Sequence, residues 1–294
     1  MHITETAIPG LLIIDLDVHG DNRGWFKENW QREKLTGLAP ELASFQPVQN
    51  NISFNHAGAT RGLHAEPWDK LISVAQGKIF GAWCDLREGS ESFGEVITHE
   101  IGPETAVFVP RGVANGFQAL EDTSYSYLVN EHWSSEARYA AVNLDIVDWP
   151  MVPTEVSEKD KQHPSLEEVS PMPARRILVT GANGQLGRAL KRLLGDAEFC
   201  SHADFDITDP PERNWKQYSA IINCAAYNDV NGAEHDRATA WAVNADAPAN
   251  LARIANEHDL ALVHVSSDYI FDGSHEVHDE EELPSPLSAY GASK

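Results

Sequence analysis

The sequence predicts two consecutive domains, an all-β jelly roll followed by an incomplete doubly wound α/β domain. Three observations carry this expectation. A chain of 294 residues exceeds the size at which a single hydrophobic core usually stops growing. Between residues 11 and 150, short apolar segments, several alternating with polar positions, are punctuated by Gly and Pro. From residue 176 onward, strands alternate with helical stretches behind a glycine-rich turn.

Composition narrows the function classes. Hydrophobic residues make up 42% and charged residues 23%, which is globular rather than disordered composition. No apolar run reaches the ~20 residues of a membrane span, and MHITETAIPG lacks the basic and apolar regions of a signal peptide. A cytoplasmic location is therefore expected. Cys84, Cys200 and Cys224 form no CxxC pair and are odd in number, so buried thiols are expected rather than disulfides or a zinc site. The 45 acidic and 22 basic residues give a net charge of -23, which repels nucleic acid and anionic lipid. Neither is an expected partner, and an anionic small substrate needs a local cluster of cations.

The β region reads as LLIIDLDVH, FQPVQNNISF, KLISVAQGKIFGAWCDL, GEVITHEI, TAVFVP and SYSYLV, a strand set that suits a cupin-like jelly roll. The proline-bearing stretch PSLEEVSPMPA at 164–174 marks the boundary, with a first domain over 1–170, a linker at 171–175 and a second domain over 176–294. There RILVT is a strand, GANGQLG a glycine-rich turn and QLGRALKRLL a helix. AIINCAA and LALVHVSS read as buried parallel strands separated by the helical stretch DRATAWAVNADAPANLARIANEH. This is a Rossmann pattern, a doubly wound parallel sheet, here incomplete. HDEEELP is expected to be a solvated loop.

Several motifs of the first domain resemble the dTDP-4-dehydrorhamnose 3,5-epimerase family. Asp21 to Glu28 (DNRGWFKE), Gln49 to Ser53, Arg61-Gly62-Leu63-His64, PRGVANGF, YSYLV and VSEKD come in the family's order. The resemblance implies epimerisation of a dTDP-4-keto-6-deoxyhexose next to its ketone. That chemistry requires a base, enolate stabilisation and an acid on the opposite face. By resemblance His64 is the base, Asp160 fixes its tautomer, Tyr127 is the acid and Lys70 sits near the enolate oxygen. Strand alternation puts Tyr125, Tyr127 and Val129 on one face. Arg23 and Arg61 would bind the pyrophosphate, since guanidinium groups pair with phosphate oxygens. Phe26 and Glu28 match positions around the thymine, with Gln49 and Asn51 as polar contacts. Asn115 stands where the family often has a second histidine, Trp133 where a tyrosine is common, and the segment from His64 to Lys70 is short. Single-centre epimerisation stays open on these departures. His64 has no HxH partner, so no metal is expected, and the epimerase half needs no cofactor. A homodimer through the β domain is implied.

The second half resembles dTDP-4-dehydrorhamnose reductase, an extended short-chain dehydrogenase. Gly181, Asn183, Gly184, Gln185, Leu186 and Gly187 belong to GxxGxxG between a strand and a helix, a turn suited to a pyrophosphate. Asp206 and Ile207 match the segment that holds adenine, and Ala225 and Ala226 lie in NCAAYNDVNGAE. VNADAP, VSSDYIFDG and YGASK follow in order. Tyr290 would protonate the C4 carbonyl oxygen while hydride arrives at carbon, Lys294 would lower the phenol's pKa and hold the ribose, and Ser267 would bond the same oxygen. The implied cofactor is NADPH or NADH. Because the sequence ends at Lys294, within the catalytic helix, this half is expected to be inactive as presented. The implied activity is bifunctional: 3,5-epimerisation of dTDP-4-dehydro-6-deoxy-D-glucose, then C4 reduction toward dTDP-L-rhamnose. Two alternatives stand beside it: an active epimerase carrying a non-catalytic Rossmann module, and a pair of binding modules.

Overall fold

In the computed structural model, which describes residues 1–134 and 137–294, the chain divides into two units, Met1–Ala174 and Arg175–Lys294. The first is built from antiparallel strands. In chain order these are β1 (His2–Glu5), β2 (Leu12–Asp15), β3 (Val18–Asp21), β4 (Gly24–Lys27), β5 (Gln49–Asn55), β6 (Thr60–Ala65) and β7 (Lys70–Gln76). Then come β8 (Ile79–Asp85), β9 (Val96–Ile101), β10 (Thr105–Val109), β11 (Val113–Ala119), β12 (Thr123–Val129) and β13 (Ala140–Ala141). Two sheets result, ordered β1-β2-β10-β7-β12-β5 and β13-β6-β11-β8-β9, while β3 and β4 form a separate hairpin.

Burial with period two explains the layering. Ile72, Val74, Val107 and Val109 of one sheet pack against Ile79, Trp83, Val113 and Phe117 of the other. On the opposite face of β7 and β10, Leu71 and Phe108 meet Leu35, Leu42 and Phe45, carried by helix α1 (Arg32–Leu38) and the turn after it. Each such fully buried side chain contributes roughly 1.5–3 kcal/mol by leaving water. Covered on both faces, β7 and β10 read as nearly continuous apolar runs rather than alternating ones.

Two expectations need revision. LLIIDLDVH is not one strand: it breaks after Asp15, where the amide of the buried Leu16 donates to the Glu104 carbonyl at 2.8 Å, and resumes as β3 in the hairpin. Conversely TRGLHA and VANGFQA, without a strand-like pattern, pair as β6 and β11. Their glycines explain it. Gly62 has φ +113, and a Cβ there would fall 2.5 Å from the Gly116 Cα and 2.7 Å from the Asn115 carbonyl oxygen. Only glycine at both positions lets these backbones approach.

The second unit holds a parallel sheet ordered β15-β14-β16-β17, from β14 (Arg176–Thr180), β15 (Glu198–Cys200), β16 (Tyr218–Asn223) and β17 (Ala261–His264). Its core gathers Leu178, Phe205, Trp215, Tyr218, Ile221 and Leu251. The helix expected over QLGRALKRLL is regular only across α2 (Gln185–Leu190). Leu193 is exposed, so no burial holds a further regular turn. The long helical stretch divides into α3 (Gly232–His235), α4 (Arg237–Trp241) and α5 (Ala247–Glu257), with a π-type turn over Ala242–Asp246 before Pro248. Proline has no amide hydrogen, so the helical ladder cannot pass through it unchanged. The chain ends in α6 (Ala289–Ser293). Among the described residues no helix is long and apolar enough to cross a membrane. Cys84 and Cys200 are buried free thiols, and burial pushes Cys84 up to about 12.

Candidate active site

The two β sheets of the first unit face each other, and side chains from both line two adjoining cavities of about 520 and 510 Å³. Asn51, His64, Glu66, Lys70, Tyr127 and Lys159 line both. His64 comes from β6 in one sheet, whereas Lys70 and Tyr127 come from β7 and β12 in the other. The candidate base and acid therefore approach from opposite walls.

Asp160 starts a 3-10 turn, with its side chain 6% exposed. Its Oδ1 meets His64 Nε2 at 2.8 Å, and its Oδ2 accepts the Gly62 amide at 3.1 Å. Burial alone would raise this carboxyl, but the His64 and Gly62 hydrogen bonds hold it at about 2. It is ionised at neutral pH and can only accept. His64 Nε2 must then carry the proton, which leaves the Nδ1 lone pair free.

Tyr127 is half-buried, and burial together with the nearby Glu66 charge raises its pKa. Its phenol stays protonated, as an acid requires. Lys70 Nζ lies 5.1 Å from the Tyr127 ring centre and is ion-paired with Glu66, both side chains largely buried. Tyr125 is fully interior: its hydroxyl accepts from Asn115 Nδ2 at 3.3 Å, and its ring stacks on Phe117 at 4.3 Å. Arg61 lines the cavity, its Nε donating to Asn55 at 2.7 Å. Gln49 donates to Asn51 at 2.9 Å on the same wall.

Arg23, Phe26 and Glu28 are not brought to these cavities. They lie on or just beyond the detached hairpin, where Arg23 is 90% exposed and pairs with Asp21 while Glu28 pairs with Lys34. The cation cluster expected from Arg23 and Arg61 therefore does not form within one chain. Lys159 joins Arg61 instead. Sequence reading passed over Glu66, Lys159 and His163; Lys159 lies within VSEKD and Glu66 just beyond RGLH, but nothing marked His163. That residue packs edge-to-face on His64, with ring centres 4.9 Å apart, and burial followed by the His64 charge lowers its pKa.

In the second unit a groove of about 830 Å³ is lined by Gly181, Asn183, Gly184, Asp206, Ile207, Ala225 and Ala226, among others. Gly181 has φ +69, and a Cβ there would meet the Ala225 amide nitrogen at 2.6 Å; one on Gly187 would meet the Gly181 carbonyl oxygen at 2.5 Å. The backbone turn thus depends on glycine, and the shape suits an extended anionic ligand lying along it. Gln185, Leu186 and Gly187 open α2 and do not line the groove. Neither do Ser267, Tyr290 and Lys294. Tyr290 is buried against Tyr269, Ser267 caps the turn that follows it, and Lys294 Nζ donates to the Val265 carbonyl at 3.0 Å. The catalytic trio implied by VSSDYIFDG and YGASK therefore does not line this groove.

Residues 5–168 match the model of the dTDP-4-dehydrorhamnose 3,5-epimerase family. The chain belongs to that family. Its residues 175–294 match the RmlD substrate binding domain. The RmlC homolog of Streptococcus pyogenes is 53% identical over 176 residues, covering 56% of this chain and 89% of that protein. The structure of RmlC from Streptococcus suis in complex with dTDP-D-xylose aligns at TM-score 0.55 with 49% identity, over 58% of this chain and 94% of that one. For the second unit, dTDP-4-dehydrorhamnose reductase of Mycobacterium tuberculosis is 44% identical over 106 residues, 34% of this chain and 35% of that protein. The chain thus spans about a third of that reductase. The epimerase unit is the cupin-like β domain, and a second domain with a parallel sheet follows it.

Proposed function

We propose that the first unit epimerises dTDP-4-dehydro-6-deoxy-D-glucose at C3 and C5, with His64 as base and Tyr127 as acid. The observation that carries this reading is the placement of His64, paired with Asp160, on one sheet and of Tyr127 with Lys70 on the other, around shared cavities. His64 Nδ1 takes the proton from the carbon beside the C4 ketone, and the electron pair moves onto the ketone oxygen. Asp160 stabilises the imidazolium, while Lys70 stabilises the enolate oxygen. Tyr127 then returns a proton to carbon from the other wall, inverting the centre, and solvent resets both groups. Arg61 and Lys159 supply positive charge toward the diphosphate, with Gln49, Asn51 and Asn115 as polar contacts. Such an enzyme needs neither metal nor cofactor.

A second copy of the chain completes the unit in this reading. Arg23, Phe26 and Glu28 resemble nucleotide-binding positions yet stand exposed on or beside the hairpin, and the edge strand β5 exposes Ile52 and Phe54. An unpaired sheet edge with apolar side chains favours pairing between copies.

The second unit is read as the dinucleotide-binding Rossmann part of a dTDP-4-dehydrorhamnose reductase. Gly181, Asn183 and Gly184 would lie beneath the pyrophosphate of NADPH or NADH, Asp206 and Ile207 beside the adenine, and Ala225 and Ala226 along the ribose. When bound, that cofactor supplies hydride for C4 reduction, and Tyr290 would supply the proton to the oxygen, aided by Ser267 and Lys294. A second reading, an epimerase with a non-catalytic dinucleotide-binding module, is favoured by the absence of those three residues from the groove wall.

The test is His64→Ala. Deuterium uptake at C3 and C5 of the 4-keto sugar should fall by about 10²- to 10⁴-fold in a folded variant. Near-normal uptake would remove His64 as the base.

A further inference from the structure

The proposed proton transfers leave one neighbouring group unused. The His163 side chain is 7% exposed, and among the described residues neither of its ring nitrogens makes a hydrogen bond. The Val142 carbonyl lies beside the ring without reaching hydrogen-bond geometry. An unsatisfied buried polar group of this kind costs about 1–3 kcal/mol. Its Nε2 lies 3.8 Å from Asp160 Oδ1, the same oxygen that His64 Nε2 meets at 2.8 Å. The donor atoms of the three side chains all fall within 4.8 Å of one another.

We propose that His64, Asp160 and His163 form an inhibitory binding site for a borderline-soft divalent cation such as Zn²⁺. Zinc bonds of about 2.0–2.2 Å in tetrahedral geometry require ligand atoms about 3.4 Å apart. Two of the three separations, 2.8 and 3.8 Å, bracket that value and the third is within 4.8 Å, so the site closes around a metal through side-chain rotations of His64 and His163 of up to roughly 1 Å. Two imidazoles and one carboxylate, with a fourth position left for water, match the ligand types of three-ligand zinc sites. They disfavour Mg²⁺ and Ca²⁺, which prefer all-oxygen shells. The buried carboxylate and the acidic chain both attract a cation.

Occupancy silences the base through its tautomer. In the free protein the His64 proton sits on Nε2 and Nδ1 holds the lone pair. A metal bound at Nε2 needs the lone pair there, so the ring proton shifts from Nε2 to Nδ1, with none gained or lost. Nδ1 can then no longer accept a proton from substrate. This inference rests on the reading of His64 as base, while metal binding itself can be observed without catalysis.

The full chain, freed of metal, is titrated with ZnCl₂ while deuterium uptake by the 4-keto sugar is followed. In parallel, CoCl₂ is added without substrate and the visible bands of tetrahedral cobalt(II) are recorded. Zn²⁺ should suppress uptake, EDTA should restore it, and MgCl₂ should have no effect. In His163→Gln, and in His163→Ala as a second variant, the half-inhibitory zinc concentration should rise roughly 30-fold or more relative to each variant's own metal-free rate. The cobalt bands should vanish in both. Equal zinc sensitivity in wild type and variants, absent cobalt bands in wild type, or cobalt binding that leaves exchange unchanged would each overturn the proposal. Failure of the metal-free wild type to exchange would instead strike at the base assignment, and the cobalt spectrum would still decide the site.

Discussion

Asp160→Asn tests the base assignment without disturbing the shape of the site. The carboxylate is almost fully buried, 2.8 Å from His64 Nε2, and is held at about 2 by that contact and by the Gly62 amide. Proton abstraction turns His64 into an imidazolium, so the pair gains a full charge–charge attraction only as the reaction proceeds. Two unit charges about 4 Å apart interact by about 4 kcal/mol at an effective dielectric near 20. The His64 side chain is 34% exposed, and hydration screens part of this, leaving roughly 2–4 kcal/mol. Asparagine keeps the volume and can still accept from Nε2, but it carries no charge and turns its NH2 toward the Gly62 amide, losing that one neutral-donor contact. The rate of deuterium incorporation into the 4-keto sugar in D₂O, followed by proton NMR at saturating substrate, should fall about 30- to 1000-fold, with KM nearly unchanged. Circular dichroism and thermal melting establish that the variant folds. A folded variant within about threefold of the wild-type rate would refute the electrostatic role and leave Asp160 only a positioning part.

Two further outcomes are expected. Tyr127→Phe should keep proton removal within a few-fold of wild type while slowing formation of inverted product by about 10²-fold or more; full epimerase turnover would move the acid elsewhere, with Tyr125 the first candidate. Asp85, fully buried among Arg87, Ser90 and Ser92, has its carboxyl held at about 2 against an ordinary 3.8, because those hydrogen bonds outweigh the opposing effect of burial. A folded-state value below the unfolded one gives stability that is present above about pH 4 and lost as pH falls toward 2, about 2 kcal/mol here. Asp85→Asn should therefore melt below wild type at neutral pH, and the Tm gap should shrink between pH 4 and 2; a constant gap would contradict the assignment.

Much was legible in the sequence because the signals are local. Period-two and continuous apolar runs marked most strands. RGLH and VSEKD named His64 and Asp160, although 96 residues separate them. The glycines of RGLH and GANGQLG were recognised as motif residues, and the structure supplies the cause: Gly62 and Gly181 take positive φ where a side chain would collide with a neighbouring backbone. β6 and β11 were missed because glycine, histidine and asparagine at their close approach erase the strand pattern.

What the sequence by itself determined is which chemistry this chain carries: the residue types for proton transfer, the glycine-rich turn, and an acidic balance that leaves few cations for an anionic substrate. Only the tertiary structure decided which of those residues meet. It placed His64 and Tyr127 on opposing sheets, brought in Glu66 and Lys159, and set His163 against the dyad. It also kept Arg23, Phe26 and Glu28 on or beside a hairpin away from the cavities, and Ser267, Tyr290 and Lys294 off the groove wall. The physical reason is the range of the signal. Periodicity and turn chemistry act over a few residues, whereas a site forms where sheet register and side-chain burial bring distant segments within hydrogen-bond reach, and that is a property of the packed chain.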